Sequence, residues 1–290
     1  MIYPTLPTWL ASHRFTYKPD DVSDKRLSDL RTRLGQFRTD APEVSIIIPA
    51  YNEEESLLNM LSSLGSQQTR YRTELIVSNN NSKDRTQELL DACGVRSLFV
   101  TDQGAAFARQ AALTAARGKY ILNADSDCLY PPGWIDALVD PLQDPAISCT
   151  YSTYSFVPSE TNPRWALILH ETAARFAFYL RRRRGYECVN VMGFSCAFRR
   201  KDAMSVGGFN TSFKRGQDIE SDDGWMAMLL LKKGRIHRVT SEAGHVWSSD
   251  RLLARDGGVL KAIYKRALFE VKRVGWYLRP ADVEPASTKP

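Results

Sequence analysis

Asp125 and Asp127 stand two residues apart, directly after the apolar stretch Lys119–Asn123, and Pro131-Pro132-Gly133-Trp134 follows them. At the end of an extended strand, alternate residues point the same way, so the two carboxylates share one side of the chain. Carboxylates so placed attract a hard divalent cation, Mg²⁺ or Mn²⁺, which prefers oxygen ligands and often completes its shell with substrate phosphates. A solvated acidic turn is the plainer reading of any D-x-D, and the position after a predicted strand argues against it. A second acidic run, Gly216-Gln217-Asp218-Ile219-Glu220-Ser221-Asp222-Asp223-Gly224-Trp225, leads into an apolar helical stretch, Met226–Lys233. Carboxylates suit a helix N-terminus on structural grounds alone. The chemical alternative is a general base that accepts a proton from an incoming hydroxyl.

Such groups need a frame. Val44-Ser45-Ile46-Ile47-Ile48, stopped by Pro49, predicts a buried strand. Glu53-Glu54-Glu55 then opens a segment with Leu57, Leu58, Leu61 and Leu64 at helical spacing. Further strands are predicted at Glu74–Ser78, Ser97–Thr101 and Lys119–Asn123, with helices at about 83–93 and at Ala105–Arg117 between them. Alternation of this kind predicts an α/β fold with a mainly parallel sheet and helices on both faces. Ligands of such sheets bind beyond the carboxyl ends of the strands. The segments there are Pro49-Ala50-Tyr51-Asn52-Glu53, Asn79-Asn80-Asn81-Ser82-Lys83-Asp84 and Asn123-Ala124-Asp125-Ser126-Asp127, all polar. No GxGxxG or GxxxxGK[ST] follows any of these strands, which disfavours dinucleotide dehydrogenases and P-loop enzymes.

Taken in order, these segments resemble family 2 glycosyltransferases with a GT-A fold. The resemblance runs over residues 43–255. It is carried by Val44 through Glu54, Leu75 through Thr86, Ala108-Arg109-Gln110, Gly118-Lys119-Tyr120-Ile121, and Asp125-Ser126-Asp127 with Pro131-Pro132. It continues through Gly193–Arg200, Val206-Gly207-Gly208-Phe209 and Asp222-Asp223. Residues 1–42 then form an N-terminal arm that looks like an appendage, and residues 256–290 a C-terminal helix and tail.

The resemblance implies roles. Pro49, Ala50, Tyr51 and Glu53 line the nucleoside pocket, and Arg109 faces the nucleotide from its helix. Asp125-Ser126-Asp127 matches the D-x-D, with Asp125 toward the ribose and Asp127 holding Mn²⁺ or Mg²⁺ on the diphosphate. Asp222-Asp223 matches the family's acidic pair, with Asp223 the base and Asp218 its rival. Gly193-Phe194-Ser195 walls the acceptor side. His245 is a candidate metal ligand and Arg251 a candidate phosphate contact, against the alternatives of a structural histidine and a surface arginine. Asn79 stands where the family usually has an aspartate against the base. The amide still offers a donor and an acceptor, but the base becomes harder to read. The implied activity is inverting transfer of a hexosyl or N-acetylhexosaminyl group from a nucleoside-diphosphate sugar, UDP favoured, to a glycan or lipid-linked glycan. The competing expectations are a nucleotidyltransferase, which lacks its basic glycine-rich loop here, and a non-catalytic homologue that binds nucleotide-sugar or glycan.

The remaining sequence is less specific. A net charge of +6 favours anionic partners, and no nucleic-acid-binding signature accompanies it. Cys93, Cys128, Cys149, Cys188 and Cys196 form no CxxC pair, so small core residues in a reducing, cytoplasmic setting are expected. No basic region with an apolar run opens the chain, and Trp165–Leu180 is too short and too charged to span a bilayer. Pro163–Leu180 reads as an amphipathic helix ending in Arg181-Arg182-Arg183-Arg184. That pattern fits either peripheral contact with an anionic membrane or phosphorylated acceptor, or a solvated basic face. An amphipathic helix is also expected over Gly258–Leu278, and disorder over Pro280–Pro290.

Overall fold

The computed structural model describes residues 2–212, 221–255, 257–259, 261–265 and 268. The helices α1 (Thr8–Ala11) and α2 (Asp24–Leu34) precede β1 (Val44–Ala50), α3 (Leu57–Leu64), β2 (Thr73–Asn79), α4 (Thr86–Ala92), β3 (Arg96–Phe99), α5 (Ala105–Ala115) and β4 (Tyr120–Ala124). There follow β5 (Cys128–Leu129), α6 (Trp134–Val139), β6 (Ile147–Ser152), β7 (Tyr154–Val157), α7 (Arg164–Arg183), β8 (Ser195–Arg199) and α8 (Arg200–Ser205). The last elements are α9 (Asp222–Leu230), β9 (Arg235–Val239), β10 (Val246–Ser249) and α10 (Arg251–Arg255).

A seven-stranded sheet runs β3-β2-β1-β4-β8-β6-β9, and β5-β10-β7 form a smaller one. The pairs β2/β3, β1/β2, β1/β4 and β6/β9 are parallel, and β8 lies antiparallel between β4 and β6. The strand period of two explains the layers. Ile46, Ile48, Leu75, Val77 and Leu122 face a core shared with α2, α3 and α6. Ile47, Ile76 and Ile121, one residue out of phase, face a second core with α5 and α9. Each fully buried aliphatic side chain contributes about 1.5–3 kcal/mol, so the register is firmly held. Because β1, β2 and β4 run parallel, Ala50, Asn79 and Ala124 end at one edge of the sheet.

The N-terminal arm is packed rather than appended. Leu30, Leu34 and Phe37 belong to the first core, and Leu10 is buried against Leu129 and Trp247. Its apolar residues are widely spaced among charged ones, so the sequence suggests a short polar helix around Lys25–Arg33, which α2 matches, but not that the arm joins the core. The five cysteines are buried, and none of them forms a disulfide. The expected C-terminal helix is described only in part. Its continuation and the expected disordered tail, at residues 269–290, lie outside the described residues, as does Asp218.

Candidate active site

The loops after β1 and β2 are latched to each other. Asn52 N–H donates to Ser82 Oγ at 3.0 Å, and Lys83 N–H to Asn52 Oδ1 at 2.8 Å. Glu54 N–H donates to Asp84 and Arg85 N–H to Glu54, which closes the junction. Tyr51 stands out half-exposed, while Ala50 beneath it is buried and Pro49 partly so. The Asn79 amide is turned into this junction: Oδ1 accepts from Ser82 N–H at 3.0 Å, and Nδ2 donates to Gln87 at 2.9 Å. With the side chain buried and both ends engaged, Asn79 anchors the loop and does not present its amide to a base in this structure.

The end of β4 is pinned by a residue that motif reading missed. Tyr130 is fully buried, and its hydroxyl takes the Asp125 N–H at 2.8 Å while lying 3.2 Å from the Phe194 carbonyl. One ring thus ties the D-x-D to the Gly193-Phe194-Ser195 wall. Only its place before Pro131-Pro132 hinted at a role. Ser126 is buried between the two aspartates. Ser249, likewise unforeseen, donates from its hydroxyl to Asp127 Oδ2 at 2.7 Å and from its amide to the Asp127 carbonyl at 3.1 Å. Burial holds the Asp127 carboxyl above its ordinary range, with the Ser249 bond pulling the other way. Arg251 Nη2 lies 2.6 Å from Glu53 and 3.6 Å from Asp127, so it spans the β1 loop and the D-x-D.

The centre of the site is Arg109, buried on α5. Its guanidinium lies 2.8 Å from Asp125, 2.8 Å from Asp222 and 2.9 Å from Asp223. Arg109 was expected to face the nucleotide; it reaches across to join the two acidic motifs. Asp222 and Asp223 occupy the first turn of α9, capped by the Ser221 hydroxyl on Gly224 N–H. Asp223 Oδ2 accepts from Gly193 N–H at 2.9 Å, while Oδ1 has no directed hydrogen bond. A helix N-terminus by itself favours the ionised carboxylate. Burial outweighs it here, and one guanidinium shared among three carboxylates cannot neutralise them all. The Asp223 carboxyl is pushed up to about 7, with Arg109 opposing and Asp222 and Asp125 reinforcing the rise.

His245 is built differently from a metal ligand. Its ring is buried, with Nδ1 bonded to Thr153 Oγ1 at 2.7 Å and Nε2 to Ser155 Oγ at 3.0 Å. Tyr3 of the arm packs on it with ring centroids 4.6 Å apart. Both nitrogens are engaged by hydroxyls in this structure, and we propose that His245 is a structural residue rather than a metal ligand. Among the described residues no group of three or more His, Cys, Asp or Glu side chains is arranged to hold a metal ion. The two carboxylates Asp125 and Asp127 still fit a cation that draws the rest of its shell from diphosphate and water. A cavity of about 600 Å³ adjoins Asp127 and Ser249, with Leu6, Leu10 and Phe15 of the arm in its wall.

A sheet of this order, with acidic loops gathered at the carboxyl edge, is the GT-A arrangement. The family model for glycosyl transferase family 2 matches residues 45–207, more than half of the chain, and the chain belongs to that family. A relative from Escherichia coli, UDP-Glc:alpha-D-GlcNAc-diphosphoundecaprenol beta-1,3-glucosyltransferase WfgD, is 32% identical over 118 residues, 39% of this chain and 46% of its own. An N-acetylglucosaminyltransferase of Bradyrhizobium diazoefficiens is 24% identical over 218 residues, 69% of this chain and 44% of its own. The chain spans less than half the length of these two curated relatives. Among solved structures, the mannosyltransferase PcManGT of Pyrobaculum calidifontis, in complex with GDP-Man and Mn²⁺, has a TM-score of 0.54 at 20% identity. The match covers 84% of this chain and 72% of that one, and its likeness is one of fold.

Proposed function

We propose that the chain is an inverting glycosyltransferase. It transfers a hexosyl or N-acetylhexosaminyl group from a nucleoside-diphosphate sugar, UDP first among donors, to a hydroxyl of a glycan or lipid-linked glycan. The observation that carries this reading is the link from Asp125 through Arg109 to Asp223. It sets a candidate donor-binding carboxylate and a candidate base on opposite sides of one buried guanidinium. The similarity to WfgD, named for UDP-Glc as donor and a diphosphoundecaprenol-linked acceptor, supports the donor and acceptor classes.

In this mechanism the acceptor hydroxyl approaches the Asp223 carboxylate, whose Oδ1 also lies against the Arg109 guanidinium. Asp223 takes the hydroxyl proton as the oxygen attacks the anomeric carbon. The bond from that carbon to the diphosphate oxygen breaks, and the nucleoside diphosphate leaves with the electron pair. A single displacement inverts the anomeric centre. Gly193 N–H holds the far oxygen of Asp223, so the carboxylate is aimed before the acceptor arrives. A divalent cation held by Asp127 and Asp125 would neutralise charge on the departing diphosphate. Arg251, ion-paired with Glu53, is the proposed phosphate contact. General-base help contributes on the order of 10² to 10⁴ in rate.

The test is calorimetry of the protein with a panel of nucleoside diphosphates and their sugars, with and without Mn²⁺, repeated on Asp127→Ala. Binding of one nucleotide class that needs Mn²⁺ and is lost in Asp127→Ala supports the reading. Binding by no donor to a folded protein sinks it. Donor binding without turnover on any glycan acceptor would favour the non-catalytic homologue.

A further inference from the structure

α7 buries Ala166, Leu167, Ala174 and Phe178 together with three polar side chains, and still leaves large apolar residues on its outward face. Glu171 is buried and accepts from Ser155, from Phe156 N–H and from both ends of the Arg164 guanidinium. His170 and Arg181 are buried with it. The outward face presents Trp165, Leu169, Phe176, Tyr179 and Leu180, exposed by 71, 52, 63, 49 and 46%. Positions 165, 169, 176 and 180 recur at helical spacing, so they form one stripe. From Trp165 to Leu180 that stripe is roughly 23 Å long. It ends at Arg182, Arg183 and Arg184, all exposed, with the Arg183 guanidinium over the Tyr179 ring. Further along the chain, Val259 and Ala262 pack against Ala166 and Leu167, while Tyr264 and Leu268 are exposed.

A continuous apolar surface of this kind implies something that covers it. We propose that this face of α7 docks on the surface of an anionic bilayer. The rings and leucines enter the boundary between headgroups and acyl chains, and the three arginines pair with lipid phosphates. Charge decides for lipid over a second protein chain. Exposed cations crowd one end of the stripe, and the whole chain carries +6. Two copies meeting through this face in parallel would bring their arginines together. The proposal does not depend on the transferase reading, because docking needs neither donor nor acceptor.

The test is sedimentation of the full-length protein with vesicles of phosphatidylcholine alone, or with about 30 mol% phosphatidylglycerol, near 0.15 M salt. The expected result is capture by the anionic vesicles only. Capture should weaken roughly 10-fold or more in the double variant Trp165→Ser/Phe176→Ser and in the triple variant Arg182→Glu/Arg183→Glu/Arg184→Glu. Melting temperatures should stay at the parent value, since these side chains are exposed. Absence of capture, or equal capture of both variants, overturns the proposal. Brominated lipids should quench the part of the tryptophan emission that Trp165→Phe removes. Quenching indifferent to that substitution means that the chain's own C-terminal segment covers the stripe, and the proposal falls. It falls equally if sedimentation velocity without lipid finds a dimer that Trp165→Ser/Phe176→Ser dissolves.

Discussion

Arg109 Nη1 lies 2.9 Å from Asp223 Oδ1, although 114 positions separate the two residues and α5 and α9 carry them separately. The same guanidinium holds Asp125 and Asp222. Arg109 therefore holds the proposed base in place, and its charge opposes the rise in proton affinity that burial imposes on Asp223.

If Asp223 takes the acceptor proton, the rate should rise with pH on the acid side through about 7, where its carboxyl loses its proton. The sign follows from the role: only the ionised form can accept a proton. Asp223→Asn should lower kcat by about 10² to 10⁴ and leave donor affinity unchanged. A pH–rate profile of the parent, with calorimetry of the variant, checks both. Turnover near the parent level in Asp223→Asn would exclude it as the base.

Arg109→Lys keeps one positive charge but cannot span three carboxylates. We expect kcat/KM to fall about 10- to 100-fold, in line with a lost charged hydrogen bond of about 1.5–3 kcal/mol. The acid limb of the profile should move to higher pH, because a shorter-reaching ammonium that cannot serve all three carboxylates opposes Asp223 protonation less. An unmoved limb would mean that Arg109 only braces the fold.

Gly193 is a steric requirement of the site. A Cβ there would run into Asp223 Oδ1 and the Arg109 guanidinium. Gly193→Ala should cut kcat by at least about 10-fold through misplacement of the base. Global stability should change little, by about 1–3 kcal/mol at most for local overpacking. Kinetics alongside thermal melts separate the two effects. Parent-like kcat would place the base elsewhere.

His245 should behave as a structural residue. Burial, helped by Arg175, lowers its pKa to about 3, so the fold favours the neutral ring. Its contribution to stability is present above about pH 6.5 and is lost as pH falls toward 3. His245→Ala should cost about 1–3 kcal/mol by stranding the Thr153 and Ser155 hydroxyls, and should leave Mn²⁺-dependent donor binding intact. Denaturant melts across pH, with calorimetry, decide this; loss of metal dependence in a folded variant would return His245 to the metal set.

Much of the frame was legible in the chain. Val44–Ile48 and Leu75–Val77 read as buried strands because consecutive residues are apolar on both faces. Asp125 and Asp127 declared themselves by their place after an apolar strand. Those signals are local, since a strand's period and a motif's spacing need no distant partner. The strand expected at Ser97–Thr101 runs over Arg96–Phe99. The observed Arg96–Phe99 pairs on one side only, at the sheet edge, where apolar patterning is weakest.

The tertiary structure decided what depends on residues far apart in sequence. Tyr130 pins Asp125 and Phe194 together, Ser249 holds Asp127, and Arg109 gathers both acidic motifs. It also turned His245 and Asn79 inward, and set the arm against Trp247. The sequence by itself determined which chemistry was available, in two acidic motifs along the edge of an alternating α/β sheet. Packing determined which of those groups meet, which are held by neighbours, and which face of α7 is left to solvent. Residue type and spacing specify local geometry, whereas proton affinity and reach depend on burial and on charges that only the folded chain brings within a few ångströms.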